Sequence, residues 1–251
     1  MEVHEKMNGE KNNYWFNAGV ALALGLVLSS LIFGWFFEKS RKGDEVITVT
    51  GSARKRIKSD LVVWSAGVTY QAPTLAEAYR SLAENVPRVK QYLIGKGIAE
   101  NEITISSITT TTLRKTDENG QESSEISGYS LRQQLDVRST EIDKIAQTAR
   151  EATELINQGI LIESNSPQYL YTKLGDLKVE MLGEAAKDAK TRAERIAAST
   201  GNSIGTVRSA KMGVMQITAA DSTEVSDAGI SDTSSIEKDI TAVVNIGFAV
   251  E

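Results

Sequence analysis

The sequence predicts an α+β protein: an N-terminal transmembrane helix followed by two tandem helix-plus-antiparallel-hairpin units, in the order β-β-α-β-β-α-β-α-β-β. Three observations support this. Residues 18–37 contain no charged side chain. The later segments alternate between runs with every second residue apolar, as in half-buried strands, and runs with apolar residues three and four apart, as in helices. Strand segments that are neighbours in sequence favour antiparallel hairpins with helices covering one face.

The uncharged run Ala18–Phe37 has the length of a membrane-spanning helix. A bilayer core of about 30 Å needs roughly twenty apolar residues, and aromatic residues such as Trp15 and Trp35 favour the headgroup level. We assign a signal anchor to residues 14–37, between a polar tail (1–13) and a linker (38–44). A cleaved signal peptide is the alternative, but its apolar region would be about 7–15 residues long and followed by small residues, whereas this run ends in aromatic residues.

The cations that flank the anchor do not fix its orientation. Lys6 and Lys11 precede it, and Lys39, Arg41 and Lys42 follow it. Counting these cations would place the following domain in the cytoplasm, but long domains translocate largely regardless of charge. Both orientations therefore stay open on the charges alone.

The first predicted unit, residues 45–139, begins with two strands joined by a basic turn at residues 54–58. A helix begins after Thr74, which forms a capping box with Glu77, and glycines after residue 94 end it. Pro87 lies inside this helix and should kink it. The strands of the unit are expected at Glu45–Ala53, Leu61–Gln71, Ile103–Arg114 and Tyr129–Val137.

The hairpin of this unit has the clearest turn in the chain. Asn119-Gly120 readily takes the positive φ angles of a tight turn between two antiparallel strands. Before it, the alternation of the strand shifts at Ser107-Ile108, which indicates a β-bulge.

The second predicted unit, residues 140–251, has two helices. The first has the apolar stripe Ile142, Ile145, Ala149, Ala152 and Ile156. The second, residues 174–199, has the stripe Leu174, Leu177, Met181, Ala185, Ala189, Ala193 and Ile196. Extended segments are expected at residues 160–166, 169–172, 203–217 and 240–250. Residues 219–235 are polar and acidic with no cation, so we expect a mobile loop or a long hairpin tip. Disorder is favoured there over a metal site.

Composition excludes several classes of function. The chain has 251 residues, a net charge of −5 and no cysteine, so neither thiol chemistry nor a nucleic-acid footprint is expected. The single histidine is His4, before the anchor, which argues against catalytic triads and zinc sites. The chain carries no phosphate-binding or hydrolase motif, and we predict no cofactor, no metal and no enzymatic activity. Asp60 and Asp188 would be the best catalytic candidates if carboxylates alone did the work.

Two charged stretches are candidate interaction surfaces. The basic run comprises Arg54, Lys55, Arg56 and Lys58, which could bind anionic lipid or an acidic partner; a solvated turn is the favoured interpretation. The acidic stripe comprises Asp176, Glu180, Glu184 and Asp188, spaced four apart on one helix face. It could bind a cation or a second copy of the chain, but a solvated face is favoured, with Asp188 paired to Arg192.

An ordered set of short blocks resembles the SIMPL-domain family of bacterial periplasmic and outer-membrane proteins. The blocks are Val46–Gly51, Ser59-Asp60-Leu61, Gly67-Val68, Ala76-Glu77-Ala78, Ser127-Gly128-Tyr129, Gly159-Ile160, Ala186–Ala197, Gly201 and Ile204-Gly205. The resemblance covers residues 45–251 and implies an exported α+β domain with roles in envelope or oxidative-stress physiology and a tendency to self-assemble. It supplies no catalytic residues. The anchor departs from the family's cleaved signal.

The resulting expectation is a single-pass protein of the inner membrane, held by Ala18–Phe37, with its C-terminal domain in the periplasm. The leading hypothesis is a non-enzymatic envelope protein that forms homo-oligomers. The alternative is a membrane-tethered module that binds an envelope ligand or protein partner. The resemblance, rather than the charges, places the domain outside the cytoplasm.

Overall fold

The computed structural model describes residues 3–41, 45–116 and 120–251. These residues form four α-helices: α1 (Val3–Arg41), α2 (Leu75–Gly95), α3 (Ile142–Glu151) and α4 (Leu174–Ser199). Short 3₁₀ segments lie at Glu100–Glu102 and Ala152–Gln158. The strands are β1 (Val46–Lys58), β2 (Leu61–Ala72), β3 (Ile103–Ile105), β4 (Thr109–Thr116), β5 (Glu122–Ser139), β6 (Ile162–Ser164), β7 (Gln168–Leu170), β8 (Ile204–Met212), β9 (Gln216–Ala219) and β10 (Glu237–Val250). The predicted α+β class is confirmed.

Helix α1 contains the predicted membrane segment and extends beyond it on both sides. Within the described part of the chain, Phe16–Phe37 is the one helical segment whose length and composition suit a membrane span, with 22 residues and a mean hydropathy of 2.3. None of this segment is buried. Residues 1–2 of the predicted tail and 42–44 of the predicted linker lie outside the described residues.

The chain forms two compact units, each assembled from separate parts of the sequence. The smaller unit comprises residues 1–51, 186–212 and 244–251, and the larger unit comprises residues 52–185 and 213–243. This division differs from the predicted tandem units 45–139 and 140–251. The physical reason is the pairing of the first strand with the last: β10 lies between β1 and β8, so the two ends of the domain share one sheet.

The larger unit is built on a six-stranded antiparallel sheet. Its order is β3-β5-β2-β6, with β4 also paired to β5 and β7 to β2. Helices α2 and α3 pack against this sheet. The predicted start of α2 is confirmed, since the Glu77 backbone N–H donates to Thr74 Oγ1 at 3.3 Å. The interior is filled by large apolar side chains that are fully buried, including Trp64, Leu82, Leu93, Leu135, Ile145 and Leu155.

The smaller unit contains the second half of α4 and the last part of β10, which pairs antiparallel with β8. The predicted apolar face of the last strand is buried at Val244, Ile246 and Phe248, but Gly247 and Ala249 are buried as well, where the register of β10 with β8 shifts. The first part of β10 belongs to the larger unit and pairs antiparallel with β9, with Ile240 opposite Ile217.

Two predicted strands are interrupted. The segment 103–114 is divided into β3 and β4, but both strands pair with β5: Ile105 lies opposite Leu135, and Thr109 lies opposite Arg132. The register therefore shifts by one residue across Ser107-Ile108, which is the one extra residue of the predicted β-bulge. The segment 203–217 likewise divides into β8 and β9. Residues 117–119 of the predicted Asn119-Gly120 turn lie outside the described residues, while β4 and β5 pair up to Thr116 and Glu122 as that turn requires.

Two positions of the predicted helical stripes are exposed. Residues 152–158 wind as a 3₁₀-helix, whose three residues per turn bring Leu155 into the core and leave Ile156 52% exposed. In α4 the buried row repeats every four residues to its end, so Ala197 is buried and Ile196 is 47% exposed.

The acidic loop 219–235 has a defined conformation, which corrects the expectation of disorder. Gln216 donates to the Ser226 carbonyl at 2.7 Å and accepts from the Ile230 N–H at 2.9 Å. Ser231 forms a bridge with Ile217. The sequence pattern missed this because several of the groups that hold the loop, including Gln216, lie outside it in the sequence.

Candidate functional site

The basic run lies on strand β1, which continues without interruption to Lys58. Successive side chains of a strand point to opposite faces, so Arg54 and Arg56 share one face and Lys55 lies on the other. Each of these three cations pairs with a carboxylate, which neutralises their mutual repulsion. The run thus lies on a strand rather than in the turn expected from the sequence, and the side chains of Arg54, Lys55 and Arg56 remain 46–50% exposed. Lys58, at the end of the strand, is exposed.

The two arginines converge on the buried carboxylate of Asp239 in β10. Arg54 Nη2 donates to Oδ2 at 2.6 Å, and Arg56 donates to both oxygens, through Nε at 3.0 Å and Nη2 at 3.1 Å. The backbone N–H of Asp221 adds a bond to Oδ2 at 2.9 Å, and the Asp221 side chain pairs with Arg56. We call Arg54, Arg56, Asp221 and Asp239 the Asp239 cluster.

Hydrogen bonding sets the charge of this cluster. Bonds from Arg56 and from the Asp221 backbone N–H outweigh the effect of burial and hold the pKa of Asp239 well below its usual range. The side chain of Asp239 is only 3% exposed, and four bonds occupy its two oxygens. The Asp239 cluster therefore cross-links β1, β10 and the acidic loop, and its carboxylate is saturated with protein donors.

The acidic stripe meets the basic run at one point. Lys55 Nζ lies 2.7 Å from Glu180 Oε1, and the two side chains are 46% and 54% exposed. Asp188 pairs with Arg192 at 2.8 Å, as predicted. The other two carboxylates of the stripe are exposed, Asp176 and Glu184. Thus the two sequence-predicted surfaces are brought together by a single solvent-exposed ion pair.

A cleft of about 360 Å³ in the larger unit was not anticipated. We call it the Tyr169 cleft. It is formed by five segments: the end of β1 with the start of β2, the end of β5, β7 with the residues after it, β9, and the acidic loop with the start of β10. Its lining residues are Ile57, Leu61, Arg138, Tyr169, Leu170, Tyr171, Thr172, Leu174, Ile217, Ser231, Asp232, Thr233 and Lys238. Its volume lies near the lower end of the range for small-molecule sites, about 300–1,000 Å³.

One wall of the Tyr169 cleft holds a buried ion pair. Lys238 is 2% exposed, and its Nζ lies 3.2 Å from Asp232 Oδ2. Burial alone would raise the pKa of Asp232, but hydrogen bonds from Ser234, Ser235 and Lys238 outweigh it and hold that pKa well below its usual range. The Asp232 carboxylate faces the Lys238 ammonium, so the two opposite charges largely compensate each other.

Asp60, the other carboxylate considered for catalysis, does not line the cleft but holds Thr172, which does. Its Oδ1 accepts from the Thr172 backbone N–H at 2.7 Å, and its Oδ2 accepts from the Thr172 hydroxyl at 2.8 Å. Both oxygens are therefore engaged, and the role visible in the structure is to hold the segment after β7 against the turn between β1 and β2.

Sequence reasoning missed most of the cleft because its walls come from five separate segments of the chain. One sign was present, however. Lys238, Ile240 and Ala242 are spaced two residues apart along β10, so strand alternation alone places Lys238 on the same buried face as the two apolar residues. A buried lysine needs a carboxylate partner, and the acidic loop that ends just before it contains one.

Among the residues that the structure describes, no group of three or more histidine, aspartate or glutamate side chains comes together to hold a metal ion.

The fold and these contacts define a class: a two-unit α+β protein that carries an exposed apolar helix near its N-terminus, compatible with membrane anchoring. A family model of 'Protein of unknown function (DUF541)', named SIMPL, matches residues 47–248. The chain therefore belongs to the SIMPL family, as the sequence blocks predicted. No protein among those of curated function matches it significantly.

Proposed function

We propose that this protein is a non-enzymatic component of the bacterial cell envelope, anchored by α1 in the inner membrane, with its SIMPL domain outside the cytoplasm. The observation that carries the proposal is the exposure of Phe16–Phe37. Exposure of this largely apolar segment of 22 residues to water would be strongly unfavourable, since each large apolar side chain gains about 1.5–3 kcal/mol on burial. A bilayer provides that burial.

Two measurements on the full-length chain test this placement. Intact mass of the membrane fraction distinguishes an anchor, which keeps residue 1, from a cleaved signal peptide. A C-terminal alkaline phosphatase fusion, which is active only after export, should be active, and a matched cytoplasmic reporter should be silent. The opposite reporter pattern would place the domain in the cytoplasm, as the cations after the anchor would favour.

We further propose that the domain self-associates through β8. Within the described residues, β8 pairs only with β10, and most of its side chains are exposed, including Val207 at 56%. A nine-residue edge with unpaired backbone donors and acceptors is a template for a strand of another copy. The homo-oligomer expected from the family resemblance would use such an edge.

The mass of the full-length chain in detergent tests self-association. We expect a discrete oligomer for the natural chain and a smaller species for Val207→Lys, because a charge on the edge strand opposes pairing. Val179→Lys is the matched control, since Val179 is also exposed but lies on α4. A monomeric natural chain would contradict self-association, and an unchanged mass for Val207→Lys would remove β8 from the interface.

A second candidate function, a membrane-tethered binding module, is supported by the Tyr169 cleft. This cleft combines a largely apolar lining with a few polar and charged groups, the composition typical of ligand sites. The carboxylates available for catalysis are already occupied: Asp60 by Thr172, and Asp188 by Arg192. That occupancy supports binding rather than catalysis as the activity of the domain.

A further inference from the structure

We propose that the Tyr169 cleft binds a small organic monocarboxylate and that Arg138 is the residue that pairs with its carboxylate. The inference rests on the second candidate function, the binding module, and names its ligand class. It does not depend on the orientation of the anchor or on self-association.

The first argument is the state of Arg138. Its backbone is fixed in β5, opposite Val63 of β2, and its side chain lines the cleft. Within the described part of the chain, its guanidinium makes no ion pair or side-chain hydrogen bond. The arginines of the Asp239 cluster, by contrast, are both paired. The planar guanidinium of Arg138 therefore has N–H donors available that can bind both oxygens of a carboxylate.

The second argument is the charge of the cleft. Its ionised side chains are Arg138, Lys238 and Asp232, two cations and one anion. Because Lys238 and Asp232 compensate each other, one positive charge remains for a ligand. A monoanion neutralises it, whereas a phosphate dianion would leave a negative charge beside Asp232. The balance favours a monocarboxylate over a phosphate.

The third argument is the lining. Five aliphatic side chains, Ile57, Leu61, Leu170, Leu174 and Ile217, and the two rings of Tyr169 and Tyr171 line the cleft. An inorganic anion would leave this apolar surface in contact with water. A ligand with a short aromatic or aliphatic body would cover it, and the two tyrosines offer flat surfaces for a ring.

The test is calorimetric titration of the full-length chain in lipid nanodiscs with 3-phenylpropanoate and hexanoate. The uncharged amide 3-phenylpropanamide is the matched probe, and empty nanodiscs give the background. We expect saturable binding of at least one acid with one site per chain. Binding of the corresponding amide should be about ten- to a hundredfold weaker, the difference expected for a charge-assisted pair.

Arg138→Gln should weaken acid binding by the same factor, and Arg80→Gln should leave it unchanged, because Arg80 is exposed on α2 and does not line the cleft. Ser231→Trp should abolish binding by filling the mouth of the cleft. If the acid and the amide bind equally well, or if Arg138→Gln binds the acid as tightly as the natural chain, the proposed pairing of Arg138 with a carboxylate is wrong. The cleft would still be a binding site in that case. If no probe binds at millimolar concentration, both the assignment and the binding module are wrong, with the membrane-anchored envelope function untouched.

Discussion

The two compact units fill their interiors differently. The larger unit buries Trp64 and several leucines and isoleucines between its six-stranded sheet and helices α2 and α3. The smaller unit buries three alanines of α4, Ala189, Ala193 and Ala197, together with the apolar face of β10. Because alanine adds little volume, the smaller unit depends on close approach of backbones, whereas the larger unit depends on filled volume. Substitutions should therefore damage the two units in opposite ways.

The largest effect is expected from creating a cavity in the larger unit. Leu82 is completely buried, so Leu82→Ala should lower the free energy of unfolding by about 2–5 kcal/mol. Leu161→Ala is the matched control: Leu161 is exposed, and the change should stay within about 0.5 kcal/mol. Fluorescence of Trp64 during urea unfolding reports on this unit. Equal losses for the two variants would mean that burial does not distinguish these positions.

A substitution of a small buried residue by a large one should destabilise the smaller unit. Ala193 is completely buried, and Ala193→Leu should cost about 1–3 kcal/mol because the added carbons have no space. Ala198→Leu, exposed on the same helix, is the control. Amide hydrogen exchange in β8 and the last part of β10 measures the local loss. A neutral Ala193→Leu would show that the alanine row does not mark a close approach.

The Asp239 cluster adds an electrostatic difference, because it lies wholly in the larger unit. An unfolded aspartate has a pKa of about 3.9, and the folded pKa of Asp239 is lower. Its stabilisation is therefore complete above about pH 5 and is lost as the pH falls through 4 toward the folded pKa. Asp239→Asn should cost about 1–3 kcal/mol at pH 7 by weakening the charge-assisted bonds from Arg54 and Arg56 at a buried position.

The acid limb of the stability curve separates this effect from packing. Asp239→Asn should lose less stability than the natural chain between about pH 5 and pH 3, because it has no carboxylate to protonate at that position. Asp227→Asn, exposed in the acidic loop, should follow the natural curve. Parallel curves for Asp239→Asn and the natural chain would show that Asp239 does not govern acid unfolding.

Local patterns in the sequence predicted most of the elements in both units. Alternation identified β2, β5 and β10, and capping residues placed the start of α2, because these properties depend on neighbours within a few residues. The shift at Ser107-Ile108 was visible as a change in local alternation, whereas the division after Met212 was missed because it depends on pairing with a distant strand. Ile156 was predicted to be buried but is exposed, because nothing in the 3.6-residue pattern indicates the change to a 3₁₀-helix.

The candidate sites were harder to predict than the elements. The basic run and the acidic stripe were recognised, but not that Lys55 and Glu180 pair or that Asp239 collects both arginines. Such contacts are set by topology: β1 and β10 are separated by most of the chain yet pair in one sheet. The Tyr169 cleft has the same origin. The one sequence signal for this cleft was the position of Lys238 on the apolar face of β10.

The smallest effect concerns two exposed ion pairs, one in each unit, that involve residues of the basic run and the acidic stripe. Lys55–Glu180 belongs to the larger unit and Asp188–Arg192 to the smaller. Lys55→Gln and Arg192→Gln should each leave the urea midpoint unchanged within error, because water screens both pairs. Added salt at about 1 M, where the Debye length is about 3 Å, should not change that result. A clear loss in Lys55→Gln alone, removed by salt, would make the contact between the basic run and the acidic stripe a structural tie of the larger unit. It would also mean that filled volume is not the only property that distinguishes the larger unit from the smaller one.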